Sequence, residues 1–391
     1  MIFNFFLLIL IFLFLTNLKI NIFSFPVFYF FVPLGAAIFI LDLFSKKESF
    51  LVNKNFIFLF FYFFTALFFY SFTILFNQNF DLFYLREVYL YSFFCFFFCY
   101  FFVKLFISKY SNYDNLILFF IIANSIQLVI SFVLYFDQNL FDKFFSFFNP
   151  AIGVIDNLES FNEQRMIAIG NPFFGAAILN SFSLVLIATN FNKTNHKNLY
   201  AICFFIISIL GIMSARTTAV SFSLAMIFII FTYLNFFKRY FLIFLIFLIF
   251  SKNNSRFSNI LDFSFGFLFD FQQSQAQDSA TELRRMWQVI PENFKTWLFG
   301  DGFFRNLLGG YYKSIDIGYL RIIYSGGVLS LSLFIFIHLF LIFKIKFINK
   351  NAFLLLCSIV FFFLNIKGVA NLIPFLILFF TFFNLNRRAS V

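Results

Sequence analysis

The chain has 391 residues, of which 62% are hydrophobic and 12% are charged, and its mean hydropathy is +0.93. Because a soluble globular domain carries about 25% charged residues, this composition excludes that class and indicates an integral membrane protein. The net charge is +11. In a membrane protein such an excess of Lys and Arg is first interpreted as a topology signal, before nucleic-acid binding is considered.

Twelve apolar runs predict an all-α polytopic membrane protein. A bilayer core of about 30 Å takes roughly 20 apolar residues as a helix, and lipid-exposed backbone is satisfied only in helices or closed barrels. The first, ninth and last runs are short, so ten or eleven helices remain open; the first is interpreted as an uncleaved helix and not a signal peptide. The runs cover residues 2–15, 22–41, 55–76, 88–103, 115–136, 172–189, 199–213, 217–234, 240–250, 317–343, 352–364 and 372–383.

The placement of Lys and Arg orients these helices. With a cytoplasmic N-terminus, fourteen of the 28 basic residues fall in inner segments, whereas the other short connections carry only Lys19, Arg86, Arg216 and Lys367. The positive-inside rule then puts both termini in the cytoplasm and explains the net charge without nucleic acid. The fourteen are Lys46, Lys47, Lys54, Lys104, Lys109, Lys193, Lys197, Lys238, Arg239, Lys344, Lys346, Lys350, Arg387 and Arg388.

This orientation divides the chain into five parts. Helices one to five occupy residues 1–136, helices six to nine occupy residues 172–250, and helices ten to twelve occupy residues 317–391. Residues 137–171 form a first outer loop and residues 251–316 a larger one. The larger loop has seven basic and seven acidic residues, so it is neutral overall and rich in specific polar groups.

The larger loop contains one predicted helix. Ser279 and Glu282 have capping-box spacing, and Pro291 ends the helical stretch that follows. Such a helix is expected to lie flat on the bilayer with its indole at headgroup depth. Its apolar face is formed by Leu283, Met286, Trp287 and Ile290.

Two arginines on this helix are candidate ligands for phosphate. From the 3.6-residue period, Arg284 projects about 100° from the centre of the apolar face and Arg285 roughly opposite it. Arg284 is then expected near lipid phosphates and Arg285 toward water or protein. The alternative is a helix of a soluble loop whose arginines are simply solvated.

Arg216 is a stronger candidate phosphate ligand than these two arginines, because it lies in a short outer connection at the start of the next helix. A helix N-terminus with free amides, joined to a bidentate guanidinium, suits a phosphate; the alternative is an arginine that snorkels to the interface. In the smaller loop, Arg165 precedes the turn Gly170-Asn171-Pro172. That Pro can simply begin the sixth helix.

Asp316 lies at the outer end of the predicted tenth helix, and Tyr319 and Arg321 lie in the first turns of that helix. A carboxylate there can accept a proton from a sugar hydroxyl, and its pKa is raised by desolvation or lowered by Arg321. The alternative is an N-cap Asp. Gly326-Gly327, further along, is predicted to permit close helix packing.

Other chemical motifs are missing from the sequence. No phosphate loop, zinc spacing or nucleophile elbow is found, and no metal or other cofactor is predicted. His196 is expected in a cytoplasmic turn and His338 inside a helix as a satisfied interior residue. The four cysteines lie in apolar runs and are expected to be small core residues. They are Cys95, Cys99, Cys203 and Cys357.

These residues resemble motifs of the bacterial polysaccharide repeat-unit polymerases, the Wzy-type O-antigen polymerases, and of their relatives, the O-antigen ligases. As architecture, the resemblance covers essentially the whole chain: ten to fourteen helices and two sizeable outer loops, the second the larger. The family shows an Arg before a Gly-Asn-Pro turn, a Ser-Arg at an outer helix end, and an Arg near a Trp before a Gly-x-Gly turn. The matching residues are Arg165 with Gly170-Asn171-Pro172, Ser214-Ala215-Arg216 with one residue inserted, and Arg284 or Arg285 with Trp287, Gly300 and Gly302.

The resemblance also separates polymerase from ligase. Ligases carry a His, then Tyr-Leu three residues on, then a Gly-x-x-Gly-like stretch. This chain has Asp316 at the position of the His, followed by Tyr319-Leu320 and Gly326-Gly327. The difference favours a polymerase and removes any role transferred from the ligase His.

The resemblance implies a GT-C-like helical bundle in the bacterial inner membrane that synthesises O-antigen or a related surface polysaccharide. At the periplasmic face, a sugar hydroxyl of one undecaprenyl-pyrophosphate-linked repeat unit attacks the anomeric carbon of a second lipid-linked glycan and displaces undecaprenyl pyrophosphate. A flippase and a chain-length regulator of the same pathway are the implied partners, beside the lipid bilayer.

The same resemblance implies roles for individual side chains. Arg216 and Arg284 neutralise the leaving diphosphate without a metal. Asp316 is the candidate general base, or orients the acceptor hydroxyl, because of its own position at the outer start of the tenth helix and not by transfer from the ligase His. Supporting contacts to substrate are assigned to Arg165, Arg285, Tyr319 and Arg321.

Rival functions are distinguished by where the charges lie. A flippase for lipid-linked oligosaccharides would need charges along the membrane interior, and the predicted spans carry almost none. A glycosyltransferase with a monosaccharide lipid donor usually has an acidic pair in its first outer loop, and residues 16–21 contain no carboxylate. A ligase and a structural or assembly protein are the remaining alternatives.

Overall fold

The computed structural model describes residues 2–23, 25–44, 54–149, 166–191, 196–232, 275–306, 310–345 and 349–389. Over these ranges the protein is all-α, apart from one antiparallel pair of two-residue strands, β1 (Lys19–Ile20) and β2 (Phe148–Asn149). The helices are α1 (Ile2–Thr16), α2 (Val32–Phe44), α3 (Lys54–Phe76), α4 (Tyr91–Ile107), α5 (Tyr113–Phe136), α6 (Gln138–Phe147), α7 (Phe174–Asn190), α8 (Lys197–Ser214), α9 (Thr218–Thr232), α10 (Gln275–Trp287), α11 (Phe294–Phe299), α12 (Gly318–Lys344), α13 (Lys350–Lys367) and α14 (Ile373–Ala389).

Seven helical segments of the described ranges are long and apolar enough to cross a membrane, and four further apolar helices are shorter. Each predicted run except 240–250, which lies outside the described residues, coincides with one of these helices. The seven segments are Val27–Phe44, Phe56–Phe76, Leu85–Ile107, Tyr113–Phe136, Lys197–Ser214, Gly318–Lys344 and Lys350–Lys367.

One predicted boundary differs from the structure, and one predicted loop contains a helix. The run predicted from residue 22 becomes α-helical only at Val32, because the Val27 N–H donates to the Leu18 carbonyl at 2.8 Å and a 3-10 helix follows. The first outer loop, predicted from residue 137, begins with helix α6. Asp137 caps this helix by accepting the N–H of Leu140 at 3.1 Å.

The chain divides into two compact units. Unit 1 comprises Met1–Phe28, Asn112–Glu282 and Phe347–Val360. Helix α5 packs there against α1, α7 and α8, and α7 also packs against α9. Buried amides link these helices: Asn124 donates to Asn180 at 3.2 Å and to Ser183 at 2.9 Å. In an apolar bundle such interhelical hydrogen bonds fix the relative rotation of the helices.

Unit 2 comprises Tyr29–Ser111, Leu283–Lys346 and Phe361–Val391. Helix α4 packs against α2 and α14, and α12 packs against α3, α11 and α14. Gly35 permits the closest approach in this core, because a Cβ there would lie 1.9 Å from the Phe97 carbonyl oxygen. A π-helix, Leu85–Leu90, precedes α4; such wide turns are frequent at functional sites.

Helix α12 is interrupted at Gly326 and Gly327, whose backbone angles are not helical. A Cβ on Gly327 would lie 2.0 Å from the carbonyl oxygen of Leu298, at the end of α11. The predicted packing role of this pair is therefore confirmed, and the break lets the turn after α11 sit against α12. The Asp301 N–H donates to the Tyr324 carbonyl at 2.6 Å.

Candidate functional site

Asp316 lies in the extended segment just before α12. The N-cap residue of that helix is Ile317 and no side chain caps it, so the alternative interpretation of Asp316 as an N-cap is wrong. The reason is that the helix begins at Gly318, one residue too late for the Asp316 carboxylate to reach its free amides. The Asp316 backbone N–H instead meets the Met286 sulfur at 3.3 Å.

The Asp316 carboxylate stands between two cations. Its Oδ2 lies 3.8 Å from Lys367 Nζ and its Oδ1 lies 4.0 Å from Arg321 Nη1, while the side chain is 27% exposed. Burial raises the pKa of Asp316 above its usual value, and Lys367 and Arg321 oppose that shift. A carboxylate of this kind binds a proton more readily than an exposed Asp does.

Arg321 is the most deeply buried cation of this site, with 8% of its side chain exposed. Its guanidinium carbon lies 4.1 Å from the ring centre of Phe304 and 3.8 Å from that of Tyr311. Both distances are within the range of cation–π attraction. The Nε atom of Arg321 is buried and has no hydrogen-bond partner in the part of the chain that the structure describes.

A second arginine joins this site through the π-helix. Arg305 Nη2 lies 2.6 Å from Glu87 Oε1, and the guanidiniums of Arg305 and Arg86 lie 4.8 and 4.7 Å from the ring centre of Phe83. The charges of Glu87, Arg305 and Asp316 all act on Arg321. We call these groups the arginine cluster: Arg86, Glu87, Arg305, Asp316, Arg321 and Lys367. Four cations face two carboxylates, an excess of two positive charges.

Asp81 holds the backbone that carries Phe304 and Arg305. Its Oδ2 accepts the N–H of Phe304 at 2.7 Å and that of Arg305 at 2.8 Å, and its own carbonyl accepts the Tyr70 hydroxyl. This carboxylate therefore positions two members of the site. No sequence spacing points to Asp81, Glu87 or Arg305, because their partners lie more than 200 positions away.

The segment before Asp316 is held in place by Asp301. Thr296 donates to its Oδ1 at 2.6 Å and Tyr312 to its Oδ2 at 3.1 Å, and Lys313 Nζ lies 3.6 Å from that oxygen. Lys313 and the following Ser314 both have positive φ. Two consecutive non-glycine residues with left-handed backbone angles are strained. The contacts of Asp301 hold this turn, which places Tyr311 and Asp316 beside Arg321.

The predicted helix of the larger loop is present as α10, with different ends. It begins at Gln275 and ends at Trp287, so the predicted capping box at Ser279 is wrong and Pro291 lies beyond the helix. The predicted apolar face is also divided. Leu283 and Met286 pack against a buried cluster around Ile315 and Ile317, whereas Trp287 and Ile290 are exposed.

Arg284 and Arg285 on this helix are both exposed, which is compatible with contact to lipid phosphates and with the alternative of solvated arginines. Tyr319 is half-buried, and its hydroxyl donates to the Phe362 carbonyl at 2.8 Å. This bond ties α12 to α13. The predicted substrate contact of Tyr319 therefore competes with a structural one.

Arg216 lies in unit 1, in the turn between α8 and α9, and is half-buried. Its carbonyl accepts the Ala219 N–H at 2.9 Å, so the arginine does precede a helix N-terminus. Burial lowers the pKa of Arg216. The other described candidates, Asp316, Arg284, Arg285, Tyr319 and Arg321, all lie in unit 2.

The Gly170-Asn171-Pro172 turn is tied to α1. Asn171 Nδ2 donates to the Leu15 carbonyl at 2.8 Å, and Gly170 has a φ of +84° with no room for a Cβ against Thr16. Pro172 does not begin the next helix, which starts at Phe174. Arg165, which precedes this turn in the sequence, lies outside the described residues.

His338 is confirmed as a satisfied interior residue: its Nε2 accepts the Leu372 N–H at 3.1 Å and its Nδ1 donates to the Phe334 carbonyl at 2.7 Å. The four cysteines are free and buried, as predicted. Among the residues described, no group of three or more His, Cys, Asp or Glu side chains could hold a metal ion.

Together these features define the class: an all-α multi-pass membrane protein with a half-buried carboxylate and several arginines where a polar segment meets a candidate span. Comparison with models of protein families, with curated proteins and with solved structures found no match to the chain.

Proposed function

We propose that the chain is a Wzy-type polymerase of undecaprenyl-pyrophosphate-linked repeat units, a metal-independent glycosyltransferase of the bacterial inner membrane. It acts at the periplasmic face, with both termini cytoplasmic. The observation that carries the proposal is the Asp316 carboxylate. It is half-buried, it has a raised pKa, and it lies beside Arg321 and Lys367.

In the reaction, Asp316 takes the proton of the acceptor hydroxyl as that oxygen bonds to the anomeric carbon of the donor. The bond from the anomeric carbon to the diphosphate oxygen breaks, and undecaprenyl pyrophosphate leaves with the electron pair. Arg216 and Arg284, supported by Arg165 and Arg285, neutralise the charge on the departing diphosphate. Preorganised cations of this kind typically contribute about 100- to 1000-fold in rate.

The alternative of a lipid-linked oligosaccharide flippase is disfavoured by the charge distribution in the seven candidate spans. Every Asp, Glu, Lys and Arg in them lies within four residues of a span end. A path for an anionic headgroup would need charged groups deeper in the membrane. An O-antigen ligase remains the enzymatic alternative. It is disfavoured because this chain has Asp316 where ligases carry a His.

The test is the glycan length distribution of the host with and without this protein. Loss of the protein is expected to leave surface glycan as single repeat units on their carrier, and the wild-type gene restores long chains. Lipid-linked units that accumulate on the inner leaflet would instead support the flippase. Unchanged long glycan would refute the polymerase.

A further inference from the structure

Two guanidiniums of the arginine cluster are incompletely paired. The Nε atoms of Arg305 and Arg321 are both buried and without a hydrogen-bond partner in the described part of the chain. A buried charged donor without an acceptor is costly. The site therefore has two N–H groups, on a scaffold held by Asp81, that an anion from outside the chain would satisfy.

The carboxylates already present occupy other edges of these guanidiniums. Asp316 lies against Nη1 of Arg321, and Glu87 lies against Nη2 of Arg305. On Arg321 this leaves the edge formed by Nε and Nη2, whose two parallel N–H groups match a planar carboxylate in bidentate geometry. One such ligand would also reduce the excess of two positive charges.

We propose that Arg321, supported by Arg305, binds the carboxylate of an acidic sugar such as a hexuronic acid. The assignment of that sugar to a lipid-linked glycan rests on the polymerase proposed above. The aromatic rings of Phe83, Phe304 and Tyr311 provide apolar planes beside the guanidiniums, and a few polar groups within an aromatic wall are typical of small-molecule sites.

Tyr311 is the more exposed of the two rings that contact Arg321. It is 43% exposed, whereas Phe304 is buried, so the Tyr311 ring can contact the sugar that carries the carboxylate. A tyrosine hydroxyl is protonated at neutral pH and can donate to that sugar.

A monoanionic carboxylate fits this cluster better than a diphosphate does. Glu87 and Asp316 remain in the site, and both repel a ligand of two or more negative charges more strongly than a ligand of one. The aromatic rings, in addition, would contact a sugar ring and gain little from a diphosphate.

Binding is measured with the purified full-length protein in lipid nanodiscs. The probes are a trisaccharide ending in glucuronic acid, the matched trisaccharide ending in glucose, and inorganic diphosphate, each followed by isothermal titration. We expect the acidic probe to bind at least tenfold more tightly than the neutral one. Arg321→Gln and Arg321→Lys each lose that preference, because neither keeps the two-donor edge, whereas Lys109→Gln, a distant exposed cation, keeps it.

Equal affinity for the two trisaccharides overturns the proposal, and so does displacement of the acidic probe by diphosphate at a lower concentration than by glucuronic acid. If Arg321→Gln melts far below wild type, Arg321→Lys and Arg305→Gln decide the outcome. Since the titration needs no polymerisation, selectivity for the acidic probe can hold while host glycan length is unaffected, which would separate this proposal from the polymerase.

Discussion

Asp316 is a carboxyl group on which burial and nearby cations act in opposite directions. Burial dominates and raises the pKa, whereas Lys367 and Arg321, at 3.8 and 4.0 Å, are too distant to reverse it. For a general base, that balance brings the pKa closer to the working pH and so increases its basicity.

We expect Asp316→Asn to lower the polymerisation rate by about 100- to 10,000-fold, the usual contribution of a positioned base. The matched control is Asp142→Asn, which changes an exposed acid on α6 and should retain full activity. Because the ionised Asp316 is disfavoured by burial, the variant should melt no lower than wild type. Wild-type glycan length in the Asn variant would exclude Asp316 as the base.

The pH dependence follows from the direction of this shift. The ionised carboxylate is the active form, so activity falls as the pH drops through the Asp316 pKa. Since that pKa is raised, the fall begins at a higher pH than for an exposed Asp. The measurement is a pH profile of polymerisation in membrane vesicles. A residual rate in Asp316→Asn that keeps the same acid limb would assign the titration to another group.

Arg216 and Arg284 are the arginines assigned to the diphosphate. Replacing either with Ala should leave single repeat units at normal protein level, with a rate loss of roughly 100- to 1000-fold. Glycan length and immunoblots on the same cells measure this, and Lys109→Ala is the control. Long glycan in both variants would remove these two residues from the mechanism.

At the scale of elements, α12 and α11 pack closely because two glycines interrupt α12. Gly327 has a φ of +73°, and its missing Cβ leaves room for the Leu298 carbonyl. The break also makes the Tyr324 carbonyl available to the Asp301 N–H. The turn that carries Asp301 is thereby joined to the same helix that carries Arg321.

Gly327→Ala should therefore destabilise unit 2 by about 2 to 4 kcal/mol, the sum of overpacking and a left-handed backbone angle. The expected result is a clearly lower melting temperature of the purified protein in detergent. Gly310→Ala is the control, because a Cβ there meets only the flexible end of the Asn306 side chain. Equal melting of the two variants would contradict the packing described for α12.

At the scale of the whole molecule, the orientation in the membrane is the prediction on which the function depends. All four native cysteines are buried, so single cysteines can be introduced with little background. An impermeant maleimide should label Gln288→Cys in intact spheroplasts, and Lys109→Cys only after permeabilisation. The reverse pattern would put the α10 arginines in the cytosol and end the polymerase proposal.

The class follows from the sequence alone, because apolar runs of this length can satisfy their backbone hydrogen bonds in lipid in few ways. The sequence also located Asp316 and Arg321, which lie five positions apart and are brought together by one helix start. The start of the helix predicted from residue 22 and the cap at Ser279 were predicted wrongly, since local spacing does not show where tertiary packing begins or continues a helix.

The assembly of the site, in contrast, depends on tertiary packing. Glu87 and Arg305 are far apart in the sequence, and the π-helix and the Asp81 carboxylate bring them together, so that the charges of both act on Arg321. No periodicity encodes such contacts, because they depend on which helices pack together. Packing of these helices buries Asp316, which raises its pKa. The same packing leaves two guanidinium N–H groups without a partner in the described part of the chain.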